Sequence, residues 1–196
     1  MSANKEQIIN NQTDLSVFDT LIFDIGNVLI SIDIDTWINR MREYNAGFNE
    51  AEFWRVKDGF DYGKINEAEI CSAYRRLLNN SELTGPEIKK LHCSLLLGPT
   101  KAGELLIKLV NDSRFKILIL SDTDPWHMEV FKASIPGFSL IDEKKIFASY
   151  AIGACKEDIE GRLYKSLLKA DYIDFTGAVY FEDRAEYIDK AHEFIP

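Results

Sequence analysis

LIFDIGNVLI, residues 21–30, decides the fold. A short apolar run brings one carboxylate, Asp24, to a turn built on Gly26 and Asn27. An unbroken apolar run marks a strand buried on both faces of a parallel sheet. The C-terminal ends of such strands are where open α/β sheets hold their ligands. Two residues after Asp24, where a second acid would share the work, stands Gly26.

Working outward, the strand signal spans residues 17–25, and the polar, Asn- and Gln-rich stretch 1–16 reads as an N-terminal extension. From about Asp35 to Leu97 the apolar period is helical. Trp37, Met41 and Tyr44 fall at i, i+4 and i+7, as do Ile70, Tyr74 and Leu77. Gly98-Pro99 closes this block, because proline cannot continue a helix. After Thr100 the pattern alternates. A helix is expected over 101–111, then the buried strand KILIL (116–120), ending at Ser121-Asp122-Thr123-Asp124. A helix near 126–133 precedes the strand-like KIFASY (145–150), and a helix over 163–170 leads to GAVYF (177–181), ending at Glu182-Asp183. A last helix covers 185–194. Strands alternating with helices imply right-handed crossovers and a doubly wound, Rossmann-like parallel sheet. The core is then residues 17–32 and 98–196, with 33–97 inserted as a helical subdomain.

Composition narrows the function. Of 196 residues, 46% are hydrophobic and 28% charged, as in an ordinary globular domain. A net charge of −9 argues against nucleic acid or an anionic membrane as partner. No apolar stretch is long enough to span a bilayer, and residues 1–14 lack the apolar centre of a signal peptide. Cys71, Cys93 and Cys155 form no C-x-x-C pair, so reduced thiols and a cytoplasmic location are expected.

Three of the expected strands end in acidic or hydroxyl residues: Asp24, Ser121 with Asp122, and Glu182 with Asp183. In a parallel sheet these ends meet on one rim. Carboxylates gathered there repel one another unless a cation sits between them, and an oxygen-only donor set favours Mg²⁺. With Lys156 adding positive charge, the assembly suits phosphoryl transfer, where positioning and charge neutralisation dominate.

In wording and order, FDIGNVLI, DYGKINEAEI and LILSDTD resemble the haloacid dehalogenase-like hydrolase superfamily, and within it small sugar phosphatases of the glucose-1-phosphatase type. The resemblance covers nearly all of the chain from Phe18 onward. It implies a core sheet with a helical cap (33–97) and Mg²⁺-dependent hydrolysis of a small phosphorylated metabolite through an aspartyl-phosphate. It makes Asp24 the nucleophile and the Gly26 carbonyl a metal ligand. Ser121 and Lys156 become the groups that hold and neutralise phosphate, with Asn27 and Asp122 beside them on the substrate. Asp183 and Glu182 join Asp24 on the metal.

Three departures accompany the match. Most phosphatases of that superfamily carry a second aspartate at the place of Gly26, which moves the leaving-group proton, a role worth about 10²–10⁴-fold. Glu157 and Asp158 follow Lys156 where proline is usual, offering it local salt bridges. The usual fifth core strand is expected to be missing, leaving a sheet edge open. These favour an alternative: a catalytically impaired relative that binds a phosphorylated ligand or a protein partner. Plainer roles also apply. Ser121 could cap the following helix, Glu182-Asp183 the last one, and Asp33 or Asp35 the helix after the first strand. Phe48, Phe53, Trp54, Phe60 and Tyr62 read as the inserted block's own small core. His92, His127 and His192 have no metal-ligand spacing, and His127 is expected on the surface or in the core.

Overall fold

The computed structural model describes residues 17–169 and 175–195. The expected extension 1–16 and Ala170, the last residue of one expected helix, lie outside them. Four parallel strands form the central sheet: β1 (Thr20–Phe23), β4 (Lys116–Ser121), β5 (Ile146–Ala148) and β6 (Ala178–Phe181), in the order β5-β4-β1-β6. Phe23 is level with Ile119 on one side and with Phe181 on the other. The doubly wound α/β reading holds.

Side chains alternate between faces along a strand, and the two cores follow that period. Leu21, Phe23, Ile117 and Ile119 point to one face. There they meet Leu106 of α5 (Lys101–Val110) and Phe131 of α6 (Pro125–Ser134). Ile22, Leu118 and Leu120 point to the other, against Leu163 and Leu167 of α8 (Arg162–Leu168) and Ala191 of α9 (Ala185–Phe194).

Between Ile32 and Leu96 the chain forms α1 (Ile34–Tyr44), α2 (Glu50–Asp61), α3 (Glu67–Leu77) and α4 (Gly85–His92). Each starts on a side chain that satisfies a free backbone N–H: Asp33 for α1, Asn49 for α2, and the capping boxes Asn66/Glu69 and Thr84/Glu87 for α3 and α4. Asp33 therefore caps, as expected, while Asp35 lies in the first turn. Phe53 and Phe60 are buried with Trp37, Ile70 and Tyr74, and Phe48 and Trp54 pack on them. Trp126 of α6 belongs to the same cluster, so this apolar core continues into the α/β half. Tyr62 departs from the expectation: it ends α2 as its C-cap and does not belong to that cluster.

Two local readings needed correction. KIFASY is not one strand: only Ile146–Ala148 pairs, and α7 (Ser149–Ile152) follows at once. The Ser149 hydroxyl accepts the N–H of Thr123 at 2.8 Å and donates to the Asp61 carbonyl at 2.6 Å, which fixes the turn there. The chain also leaves and rejoins the sheet through an unexpected antiparallel pair, β2 (Ile30–Ile32) with β3 (Leu96–Pro99). No helix among the described residues is long and apolar enough to cross a membrane.

Gly103 shows how tightly α5 seats on the turn after β1. A Cβ at that position would run into the carbonyl oxygen of Leu29, which already accepts the N–H of Thr100 at 3.0 Å. Backbone leaves no flexible side chain to give way. Gly103→Ala is expected to destabilise the fold by about 1–3 kcal/mol, read as a lower urea midpoint at unchanged slope.

Candidate active site

The parallel register determines what meets at the rim. Phe23 pairs with Phe181, so the next residues, Asp24 and Glu182, stand level on adjacent strands, and Asp24 N–H donates to the Phe181 carbonyl at 2.9 Å. Strands lie about 4.8 Å apart, too close for two unscreened carboxylates. Lys156 comes between them, with Nζ 2.5 Å from Asp24 Oδ1 and 2.6 Å from Glu182 Oε2, and it is 1% exposed. Burial alone would push its ammonium down. The two carboxylates outweigh that and hold it above the ordinary lysine range. Glu182 is pushed up by burial, against the pull of Lys156, and also accepts the Tyr180 hydroxyl at 2.5 Å.

The Lys156 backbone N–H is shared by both oxygens of Asp122, at 3.0 and 3.2 Å. Burial raises the Asp122 carboxyl to about 7, with the Lys156 charge and N–H pulling it down and the Asp24 and Asp61 charges adding to the rise. On the other side, Asn27 has φ +53°, the left-handed region that Asn tolerates. From there its amide donates to Asp183 Oδ2 at 3.1 Å and its carbonyl accepts the N–H of Ile32 at 3.2 Å.

Asp24, Gly26, Asn27, Ser121, Asp122, Lys156, Glu182 and Asp183 thus line one cavity of about 380 Å³. These are the eight residues that the family resemblance implied for the site. Ile32 and Ile34 join them from the start of the helical block. Asp24, Glu182 and Asp183 each offer an oxygen within 4.8 Å of the others, a donor set suited to a hard cation such as Mg²⁺.

Several plainer readings fail here. Glu157 and Asp158 do not draw Lys156 away: Asp158 pairs with Arg162 at 2.9 Å, and Glu157 accepts the Tyr187 hydroxyl at 3.1 Å. Asp124, not Ser121, caps α6, and α9 starts at Arg184 with no side-chain cap, leaving Glu182 and Asp183 to the rim. Sequence reading missed Tyr180, although its i, i+2 spacing from Glu182 on an extended chain puts both on one face. It also missed Arg184 and Tyr187, which line the cavity and meet through a 2.7 Å hydrogen bond. Nor did spacing show that His92 and His127 would gather around Asp124, away from this cavity.

No family model and no curated protein matches the sequence. Solved structures do. The HAD family enzyme BT-2542 from Bacteroides thetaiotaomicron superposes with a TM-score of 0.75 at 19% identity, over 90% of each chain. Its complex with magnesium and inorganic phosphate gives 0.74 at 20% identity, again over 90% of each chain. A HAD-like family hydrolase from Porphyromonas gingivalis gives 0.73 at 16% identity, over 91% of this chain and 88% of that one. At these identities the likeness is one of architecture, and on that ground the chain has the fold of the haloacid dehalogenase-like enzymes.

Proposed function

We propose that the protein hydrolyses small phosphomonoesters, sugar phosphates among them, through a phosphorylated Asp24. The observation that carries this reading is the buried bridge Asp24–Lys156–Glu182 on a rim that also holds Ser121 and Asp183. The magnesium and phosphate bound by a protein of the same fold agree with it.

In this reading the Lys156 ammonium and the Ser121 hydroxyl hold two oxygens of the phosphoryl group. Lys156 occupies Asp24 Oδ1, which leaves Oδ2 as the attacking oxygen. It bonds to phosphorus in line with the ester oxygen, the P–O ester bond breaks, and the departing alkoxide takes a proton from water. A water molecule then attacks the same phosphorus, giving its proton to the hydroxide left by that transfer; the bond to Asp24 breaks, and inorganic phosphate leaves. Asp24, Asp183 and Glu182, with the Gly26 carbonyl, would hold Mg²⁺, whose charge offsets that of the phosphate when bound. Residues 33–97 are read as a cap over the rim, with Ile34 facing the ester group.

One observation favours a second reading, a binder of phosphorylated ligands with little turnover. Gly26 carries no acid, so the leaving-group proton has no donor two residues after Asp24. The position accepts a side chain: a Cβ there would lie 3.6 Å from Ile32 Cδ1 and 3.8 Å from Asp24 Oδ2, ordinary contacts.

The deciding experiment is p-nitrophenyl phosphate hydrolysis with and without Mg²⁺. Wild type is expected to turn over only with the metal, and Asp24→Asn to lose at least about 10³-fold in kcat. Gly26→Asp is expected to raise kcat, by about 10²-fold for a poor alkyl leaving group and less for p-nitrophenolate. No turnover in wild type with recovery in Gly26→Asp supports the binder; an active Asp24→Asn overturns the mechanism.

Asp122 supplies a pH prediction. Its carboxyl titrates at about 7 in the folded chain and about 3.9 unfolded. Between those values the folded state holds the extra proton, so stability falls as pH rises through the window, and the full penalty stands above 7. Asp122→Asn removes the charge and keeps an acceptor for Lys156 N–H. Urea unfolding without Mg²⁺ should find the variant more stable than wild type at pH 8, with the gap closing toward pH 4.

A further inference from the structure

Among the described residues, a second cluster of ionisable side chains lies at the seam between the helical block and the α/β core. The chemistry above does not use it. Asp124 is its centre and is completely buried. Its Oδ1 accepts the N–H of Trp126 at 2.8 Å and of His127 at 2.9 Å, capping α6. Its Oδ2 faces two imidazoles: His127 Nδ1 at 2.7 Å on its own helix, and His92 Nε2 at 2.9 Å at the end of α4. His92 Nδ1 in turn meets the Tyr74 hydroxyl of α3 at 2.7 Å. The two imidazoles stack with centroids 4.5 Å apart.

His92 fills these contacts as a neutral ring, donating at Nε2 and accepting the Tyr74 O–H at Nδ1. Burial lowers its pKa by more than Asp124 raises it. The Asp124 carboxyl, which burial would push up, is held well below its usual range by His127 and His92. One core carboxylate therefore holds α4 of the inserted block directly, and α3 through His92 and Tyr74. A metal ion is the other reading of two imidazoles and a carboxylate. The separations oppose it: 2.7 and 2.9 Å are hydrogen-bond lengths, whereas tetrahedral ligands at a Zn²⁺ stand roughly 3.3 Å from one another.

Asp124 is the last residue of the loop that begins at Ser121 and Asp122. Thr123, just before it, is fastened to the same block, because its N–H donates to Ser149 Oγ and Ser149 donates to the carbonyl of Asp61, the last residue of α2. Two successive loop residues thus reach α2 and α4, immediately after the two that line the cavity.

We propose that Asp124 is a positioning residue: through His92 it locks the helical block to the loop of Ser121 and Asp122, so that block and loop hold their places together. Its effect on rate rests on the phosphomonoesterase reading; the coupling itself does not. Asp124→Asn tests it well, because asparagine caps a helix as well as aspartate but leaves one acceptor oxygen for the cap and both imidazoles. His92→Leu removes the link from the other side, and His92→Gln restores a donor near Nε2.

Two measurements read the outcome. In steady-state hydrolysis with Mg²⁺, kcat should fall about 10-fold or more in Asp124→Asn and in His92→Leu while KM changes less than about twofold. His92→Gln should regain most of the loss, and the double variant should be no slower than the slower single one. In amide hydrogen exchange, which needs no activity, α4 and residues 121–124 should exchange faster together in both variants. Losses that add, a glutamine no better than leucine, or faster exchange in only one of the two segments would overturn the proposal. Should wild type show no turnover, the phosphomonoesterase reading fails and exchange alone decides. Should Asp124→Asn not fold, Tyr74→Phe, which removes only the outer hydrogen bond, must show a smaller but still linked rise in exchange.

Discussion

The structure depends on one buried ammonium. Lys156 bridges Asp24 and Glu182, from the ends of two neighbouring strands, while its backbone N–H ties Asp122 from a third. Each partner makes the others tolerable. Without the lysine, the register would hold two carboxylates side by side on β1 and β6. Without either carboxylate, an ammonium with almost no contact with water would lack half of its compensation, a loss of several kcal/mol in comparable buried pairs. The order β4-β1-β6 and the site at its rim therefore depend on each other. The rim carries Asp24, Asp122, Glu182 and Asp183 against Lys156 and Arg184, and that excess of negative charge is why a hard cation fits there.

What could be read from the sequence is what local pattern controls. KILIL and LIF are strands because their residues are buried on both faces, and that leaves a continuous apolar run in any chain. The rim residues were legible for the same reason: a strand end is a place in the sequence as well as in space. KIFASY misled because Ser149 is claimed by Thr123 and Asp61, partners 26 and 88 residues away that no window contains. The pairing of β2 with β3 escaped because it joins stretches on either side of the whole helical block. Glu157 and Asp158 looked like partners for Lys156 by proximity in sequence. Arg162 and Tyr187, nearer in space, take them.

The two polar clusters differ in how the fold uses them. The rim cluster opens on a cavity and keeps an excess of charge. The cluster around Asp124 is closed: its carboxylate receives four donors, and its two imidazoles answer one another. Closed polar networks in a core specify geometry, because any other arrangement leaves a buried group unsatisfied. That is the property needed where α4 and the segment after β4 must hold one mutual arrangement.

Gly26 can then be judged on physical grounds. Glycine is required where φ is positive or a Cβ would collide, and neither holds at this position. Gly103, where a Cβ meets a backbone carbonyl, shows what a steric requirement looks like in the same turn region. The left-handed residue of the Asp24 turn is Asn27, and its side chain repays that conformation by holding Asp183. The absence of a side chain at 26 thus serves no need of the backbone, and its consequence is chemical. Asp24 keeps its partner and the rim its charge, while the turn offers no acid two residues after Asp24 that could donate a proton. If the protein hydrolyses phosphomonoesters as proposed, the esters it favours are those whose alcohols are acidic enough to leave unaided.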